Sequence, residues 1–135
     1  MAGQRVLVDT GPLVALFKRN DTHHARAVAW FKGHRGPLLT TLAVVTEAWH
    51  LLSEPARLPL VRFVTAACEV HEFGTQGQAR ILATLERYAD LRMDYADATL
   101  IVLGDMLHVM SIATIDVKDF SAYRLTNGKA LKLVF

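Results

Sequence analysis

Cysteine is almost absent from this 135-residue sequence: Cys68 stands alone, so no internal disulfide forms and no cysteine cluster holds a structural zinc. That composition suits a reducing compartment, and the expected location is the cytoplasm. Glycine and proline are scarce too, with eight and four residues, which excludes collagen-like repeats and Gly/Pro-rich linkers. Long apolar runs are missing. The longest stretch without Asp, Glu, Lys or Arg, Gly36 to Thr46, falls far short of the roughly 20 apolar residues of a membrane-spanning helix. Asp9 and Pro12 interrupt the apolar opening between Met1 and Phe17, so it does not read as a secretory signal. Charge of one sign is not in excess either. A net charge of +2 permits a nucleic-acid partner without demanding one. What is present is 52% hydrophobic residues in a chain of one-domain length, and the expectation is a single domain over residues 1–135.

Short β-branched runs alternate with longer stretches of helical periodicity, the pattern of βαβ units. The expected strands are Arg5–Val8, Pro37–Thr40, Val70–Phe73, Val109–Thr114 and Leu131–Phe135. The first helix starts at Pro12 and runs through Phe17. A second spans His23–Lys32, with Ala25, Val28, Ala29 and Phe31 inward, and a third Thr41–Leu52. Pro55 and Pro59 punctuate a turn before a short helix, Leu60–Ala67. Thr75 reads as the cap of a helix over Gln78–Ala89 with a stripe of Ile81, Leu82 and Leu85, and Asp94 as the cap of Tyr95–His108. A short helical turn follows Asp116. If the strands are parallel with right-handed crossovers, ligands belong at their carboxyl ends.

Four acids occupy awkward places on that scaffold. Asp9 follows the first strand and Asp116 the fourth, each where strand turns into helix, so both can face one crevice. Glu47 shares a helix face with Val44 and Leu51, and Asp97 lies in line with Leu100, Ile101 and Gly104 on the most apolar helix. Gathering unpaired carboxylates away from water is costly, and mutual repulsion drives them toward protonation. A divalent cation reverses that penalty. An all-oxygen ligand set favours Mg2+ or Mn2+, ions that activate water and neutralise phosphate oxygens, which is the chemistry of phosphodiester hydrolysis.

The residues also carry a resemblance. Val8-Asp9-Thr10-Gly11-Pro12-Leu13-Val14-Ala15-Leu16, Thr46-Glu47, Asp94-Tyr95-Ala96-Asp97-Ala98, and Thr114-Ile115-Asp116 with Asp119-Phe120 resemble, in order and spacing, the four motifs of PIN-domain ribonucleases, and within them those of VapC-type toxins. The resemblance covers nearly the whole chain. It implies a three-layer α/β fold with a parallel five-stranded sheet flanked by helices, a Mg2+ or Mn2+ centre, and hydrolysis of RNA by a metal-bound water. It further implies Asp9, Glu47, Asp97 and Asp116 as catalytic, metal-binding acids, Thr10 and Thr114 as supporting hydroxyls, a homodimer, and a cognate antitoxin protein as partner.

Other residues have plainer readings. Asp94 is a helix cap, a part of the site, or both, and Asp119 is a cap or an outer ligand. His23 and His24 point about 100° apart as helix neighbours and are assigned to a solvated helix start, outside the site. Trp30 and Trp49 are read as core or dimer contacts, and Cys68 as a small buried hydrophobe. Arg5, Lys18, Arg19, Lys118 and Arg124 are candidates for steering phosphate. Asp9-Thr10-Gly11 equals the aspartic-protease tripeptide, but it occurs once and in an alternating α/β pattern. The competing function is a non-catalytic RNA-binding or partner-binding module with the same fold, and the presence of all four acids favours the enzyme.

Overall fold

Strand β1 (Val6–Val8) consists of three apolar residues, each fully buried. A strand apolar on both faces needs cover on both sides, which only a central place in a parallel sheet provides. The computed structural model, which describes residues 3–135, puts it there. Residues 1 and 2, part of the Met1–Phe17 opening, lie outside the described residues. The sheet has the order β3-β2-β1-β4-β5 and every pairing is parallel. β2 is Leu38–Thr41, β3 Cys68–His71, β4 Ser111–Ala113 and β5 Lys132–Leu133. Leu7 lies opposite both Leu39 and Ile112 and ties the two halves together.

Helices flank the sheet: α1 (Thr10–Phe17) packs on α2 (His24–Gly33), α3 (Leu42–Leu51) and α4 (Glu54–Ala67), while α5 (Thr75–Arg87) and α3 pack on α6 (Tyr95–Leu107). A short α7 (Val117–Ala122) follows β4. Gly104 lets α6 approach β1 closely, because a Cβ there would stand 3.0 Å from the Val109 carbonyl oxygen and 3.3 Å from a Leu7 methyl. Among the described residues no helix is long and apolar enough to cross a membrane.

Several element boundaries differ from the sequence expectation, each for a physical reason. The helix expected from Leu60 starts at Glu54 and runs through Pro59. Pro55 falls in its first turn, where a missing N–H costs nothing, and burial of Leu60 and Val64 holds the remainder in place. In α2 the inward residue is Ala27, while Ala25 and Ala29 are exposed. Alanines set the helix phase weakly, and Trp30 fixes it by donating its indole N–H to the Val134 carbonyl at 2.8 Å. β3 begins at Cys68, two residues early, because pairing with Leu38–Thr41 selects the strand. Thr75 is the first residue of α5 and Gly74 occupies the cap position; Leu82, expected in the apolar stripe, is exposed.

Candidate metal and active site

Strand order reverses between β1 and β4, the neighbours on either side of a topological switch, and crevices in parallel sheets open at that point beyond the carboxyl ends. Asp9 leaves β1 there. Its backbone N–H still pairs with the sheet, donating to the Ala113 carbonyl at 3.0 Å, while the chain turns into α1. Although Asp9 stands at the N-cap of α1, its carboxylate makes no capping bond. It accepts instead from the Thr114 hydroxyl at 2.7 Å. Thr114, just beyond β4, accepts in turn from the Asp116 N–H at 2.9 Å, so one buried hydroxyl ties both strand ends together.

Asp97 enters from the first turn of α6 and is 8% exposed. Its Oδ2 accepts from the hydroxyl of the fully buried Tyr123 at 3.3 Å. Asp116 caps α7 by accepting from the Asp119 N–H at 3.1 Å, which turns both carboxylates to one side. Single oxygens of Asp97, Asp116 and Asp119 lie within 4.8 Å of one another. Asp9, Glu47 and Asp94 line the same open crevice of about 560 Å3. The four acids singled out in the sequence thus share one crevice, and three more, Asp21, Asp94 and Asp119, line it with them.

The electrostatics follow from this crowding. Burial raises the Asp9 carboxyl to about 6 against the opposing Thr114 hydroxyl bond, with the Asp116 and Asp94 charges adding to the rise. Asp97 is pushed up to about 8, first by burial and then by the charges of Asp9 and Asp94. Glu47 is raised by burial, and Asp94 beside it adds to the shift, while the Thr10 hydroxyl opposes it. Asp119 is raised chiefly by sharing a hydrogen bond with Asp116. Tyr123 is held protonated by burial and by the Asp97 charge, which keeps it a donor.

Sequence reasoning left some of this open and some unseen. Asp94, read as a cap, a part of the site or both, holds the N-cap position of α6 without making a capping bond, and its carboxylate lines the crevice with the other acids. His23, placed outside the site on helix geometry, lines the crevice because it stands at the N-cap of α2 rather than within the helix. Tyr123 gave no sign, since an aromatic at a helix end reads as core. Arg92 is the one Lys or Arg lining the crevice and adopts a left-handed backbone, φ 53°. That conformation closes the short turn Ala89–Leu91, as His108 at φ 55° closes α6.

Comparison with known proteins bears on this geometry. A family model described as the PIN domain matches residues 6–123. Ribonuclease VapC26 of Mycobacterium tuberculosis is 27% identical over 128 residues, which cover 91% of this chain and 95% of that protein. Among solved structures, Mycobacterium tuberculosis VapC20, a toxin that cleaves the sarcin-ricin loop, superposes with a TM-score of 0.77 at 18% identity, covering 84% of this chain and 91% of its own. A VapBC2 structure from Rickettsia felis, bound to a DNA fragment from its promoter, superposes with a TM-score of 0.66 at 10% identity and covers 97% of this chain and 98% of its own. With a match spanning both acid-bearing strand ends, the chain belongs to the PIN-domain family.

Proposed function

We propose that this protein is a divalent-metal-dependent endoribonuclease of the VapC type, with Asp9, Glu47, Asp97 and Asp116 as its catalytic and metal-binding acids. The observation that carries the reading is the convergence of these acids at the switch point, with the Asp9 and Asp97 carboxyls raised well above their ordinary values. Nothing in protein folding rewards such a cluster, whereas a bound cation does. The donor set fits a hard cation: the acids that crowd the crevice offer only carboxylate oxygens. Single oxygens of Asp97, Asp116 and Asp119 come close enough together to hold an ion, and Asp9 and Glu47 line the same crevice. Such an ion, when bound, would neutralise phosphate charge and lower the pKa of a water bound to it.

The chain's own residues prepare that step. Thr114 fixes the Asp9 carboxylate and the Asp116 backbone with one hydroxyl, and Tyr123 orients Asp97 from beneath. Arg92 provides a cation at the rim where a phosphate arrives. A cognate antitoxin partner, which the VapBC2 complex supports, joins a homodimer, a cytoplasmic site of action and a single domain over residues 1–135 in the proposal.

The test is cleavage of total cellular RNA by the purified protein in Mg2+, Mn2+ or EDTA, beside Asp9→Asn. Cleavage that needs the cation and disappears in the variant is the expected result. Cleavage that survives in EDTA or in Asp9→Asn overturns it.

A further inference from the structure

A second groove, about 540 Å3, adjoins the acidic crevice and shares two walls with it, Glu47 and Asp94. That volume is in the range, roughly 300–1,000 Å3, of pockets that take small-molecule groups. It runs between α3, the end of β3 and the start of α6, and its character differs from the crevice. Phe73 and Tyr95 provide aromatic faces, and Tyr95 is 43% exposed. The Tyr95 hydroxyl donates to Gln78 Oε1 at 2.6 Å, which holds ring and amide in fixed places. His71 Nε2 is buried without a hydrogen-bond partner, the nearest carboxylate oxygen, Glu69 Oε1, being 3.8 Å away. Glu72 adds a free carboxylate at the outer end.

The chemistry of this lining selects its occupant. Among the described residues no Lys or Arg lines the groove to hold a phosphate, and the Glu72 carboxylate repels one, so the backbone of a nucleic acid keeps to the adjoining crevice. Aromatic faces stack on any base, and fixed acceptors reward an edge that carries N–H donors. Since the groove opens directly from the acids, a strand whose scissile phosphate lies at the acids lays a neighbouring base into it. We infer that this groove is a nucleobase subsite that takes an unpaired, amino-bearing base, guanine foremost, next to the cleaved bond and sets the sequence preference of cleavage. Tyr95 stacks on the base, and Glu72 and Gln78 read its pairing edge. The inference rests on the ribonuclease reading above.

The experiment cleaves a randomised single-stranded RNA pool with Mn2+ and sequences the ends, for the natural protein, Tyr95→Ala, Tyr95→Phe and Glu72→Gln. In parallel, fluorescence anisotropy follows a labelled short RNA on the Asp9→Asn protein with and without Tyr95→Ala. The expected result is enrichment of an amino-bearing base at one position beside the cut. Tyr95→Ala lowers cleavage and binding by about ten-fold or more and flattens that enrichment, Tyr95→Phe restores cleavage, and Glu72→Gln reduces the enrichment. Enrichment of uracil, or a preference unchanged in both Tyr95→Ala and Glu72→Gln while cleavage continues, overturns the subsite and leaves the ribonuclease intact. Loss of a protein partner's binding in variants that cleave with unaltered preference overturns it as well, assigning the groove to a protein. A natural protein that cuts no RNA with either cation overturns both readings.

Discussion

At Asp97 a carboxyl sits almost out of water beside other acids, with one tyrosine hydroxyl to steady its charge. Its ordinary value of 3.8 rises to about 8 in the fold. Below pH 4 the group is protonated in both folded and unfolded chains. Between about 4 and 8 only the folded chain keeps its proton, so the stability this group contributes is lost as pH rises. Asp9, raised to about 6, acts in the same direction over the lower part of that window. The cation-free protein therefore melts at a lower temperature at pH 8 than at pH 5, and Asp97→Asn raises the melting temperature at pH 8, as thermal melts in a chelator will check. A variant that melts lower than the natural protein at pH 8 contradicts the reading. Thr114→Val removes the donor to Asp9 and the acceptor for the Asp116 N–H, at a cost of about 1–3 kcal/mol. Denaturant titration reads that loss, and calorimetry should show weakened cation binding with it. Asp9 and Asp116 were legible in the sequence because, though each alone reads as a turn or cap, together with Glu47 and Asp97 they crowd the same sheet edge. Tyr123 and Arg92 were not, since one looks like core and the other like surface until the fold sets Tyr123 on Asp97 and brings Arg92 to the crevice.

Among the elements, α6 does most to place the site. It carries Asp97, with Asp94 just before its first residue, and nine consecutive residues, Ala96 to Gly104, are buried. Gly104→Ala forces a Cβ against the Val109 carbonyl and Leu7, costing about 1–3 kcal/mol by overpacking, which chemical denaturation will measure. An unchanged midpoint contradicts the close approach of α6 to β1. The sequence made this helix legible because its apolar run and Asp94 mark it plainly. It made α2 and α4 less so. Ala25, Ala27 and Ala29 weigh too little to show which face is inward, and a proline at position 59 reads as a break when only tertiary burial of Leu60 and Val64 shows otherwise. The misplaced start of β3 has the same origin, because strand limits depend on a partner strand about 30 residues earlier in the chain.

For the molecule as a whole, the alternation of strand and helix made the parallel α/β class legible, whereas the order of the strands depends on packing that no local pattern records. Cation loading is a whole-molecule event through linkage. Because carboxyls in the crevice hold protons without an ion, loading an ion releases them, and affinity for Mn2+ or Mg2+ rises from pH 6 to pH 8. Calorimetry in buffers of different ionisation heat counts the protons, and a count of zero contradicts the reading. At a hundred times its dissociation constant the ion adds about 2.7 kcal/mol to folding stability, visible as a higher melting temperature. The pairing of β1 with β4 sets a further condition, one of timing. Val8 meets Ala113 only after more than a hundred intervening residues have been made, and Asp9 has no Thr114 hydroxyl until then. At ribosomal speeds of about 5–20 residues per second, the nascent chain spends many seconds with its first acid detached from the rest. The acid cluster is thus left incomplete, and the crevice open on one side, until β4 has emerged and docked.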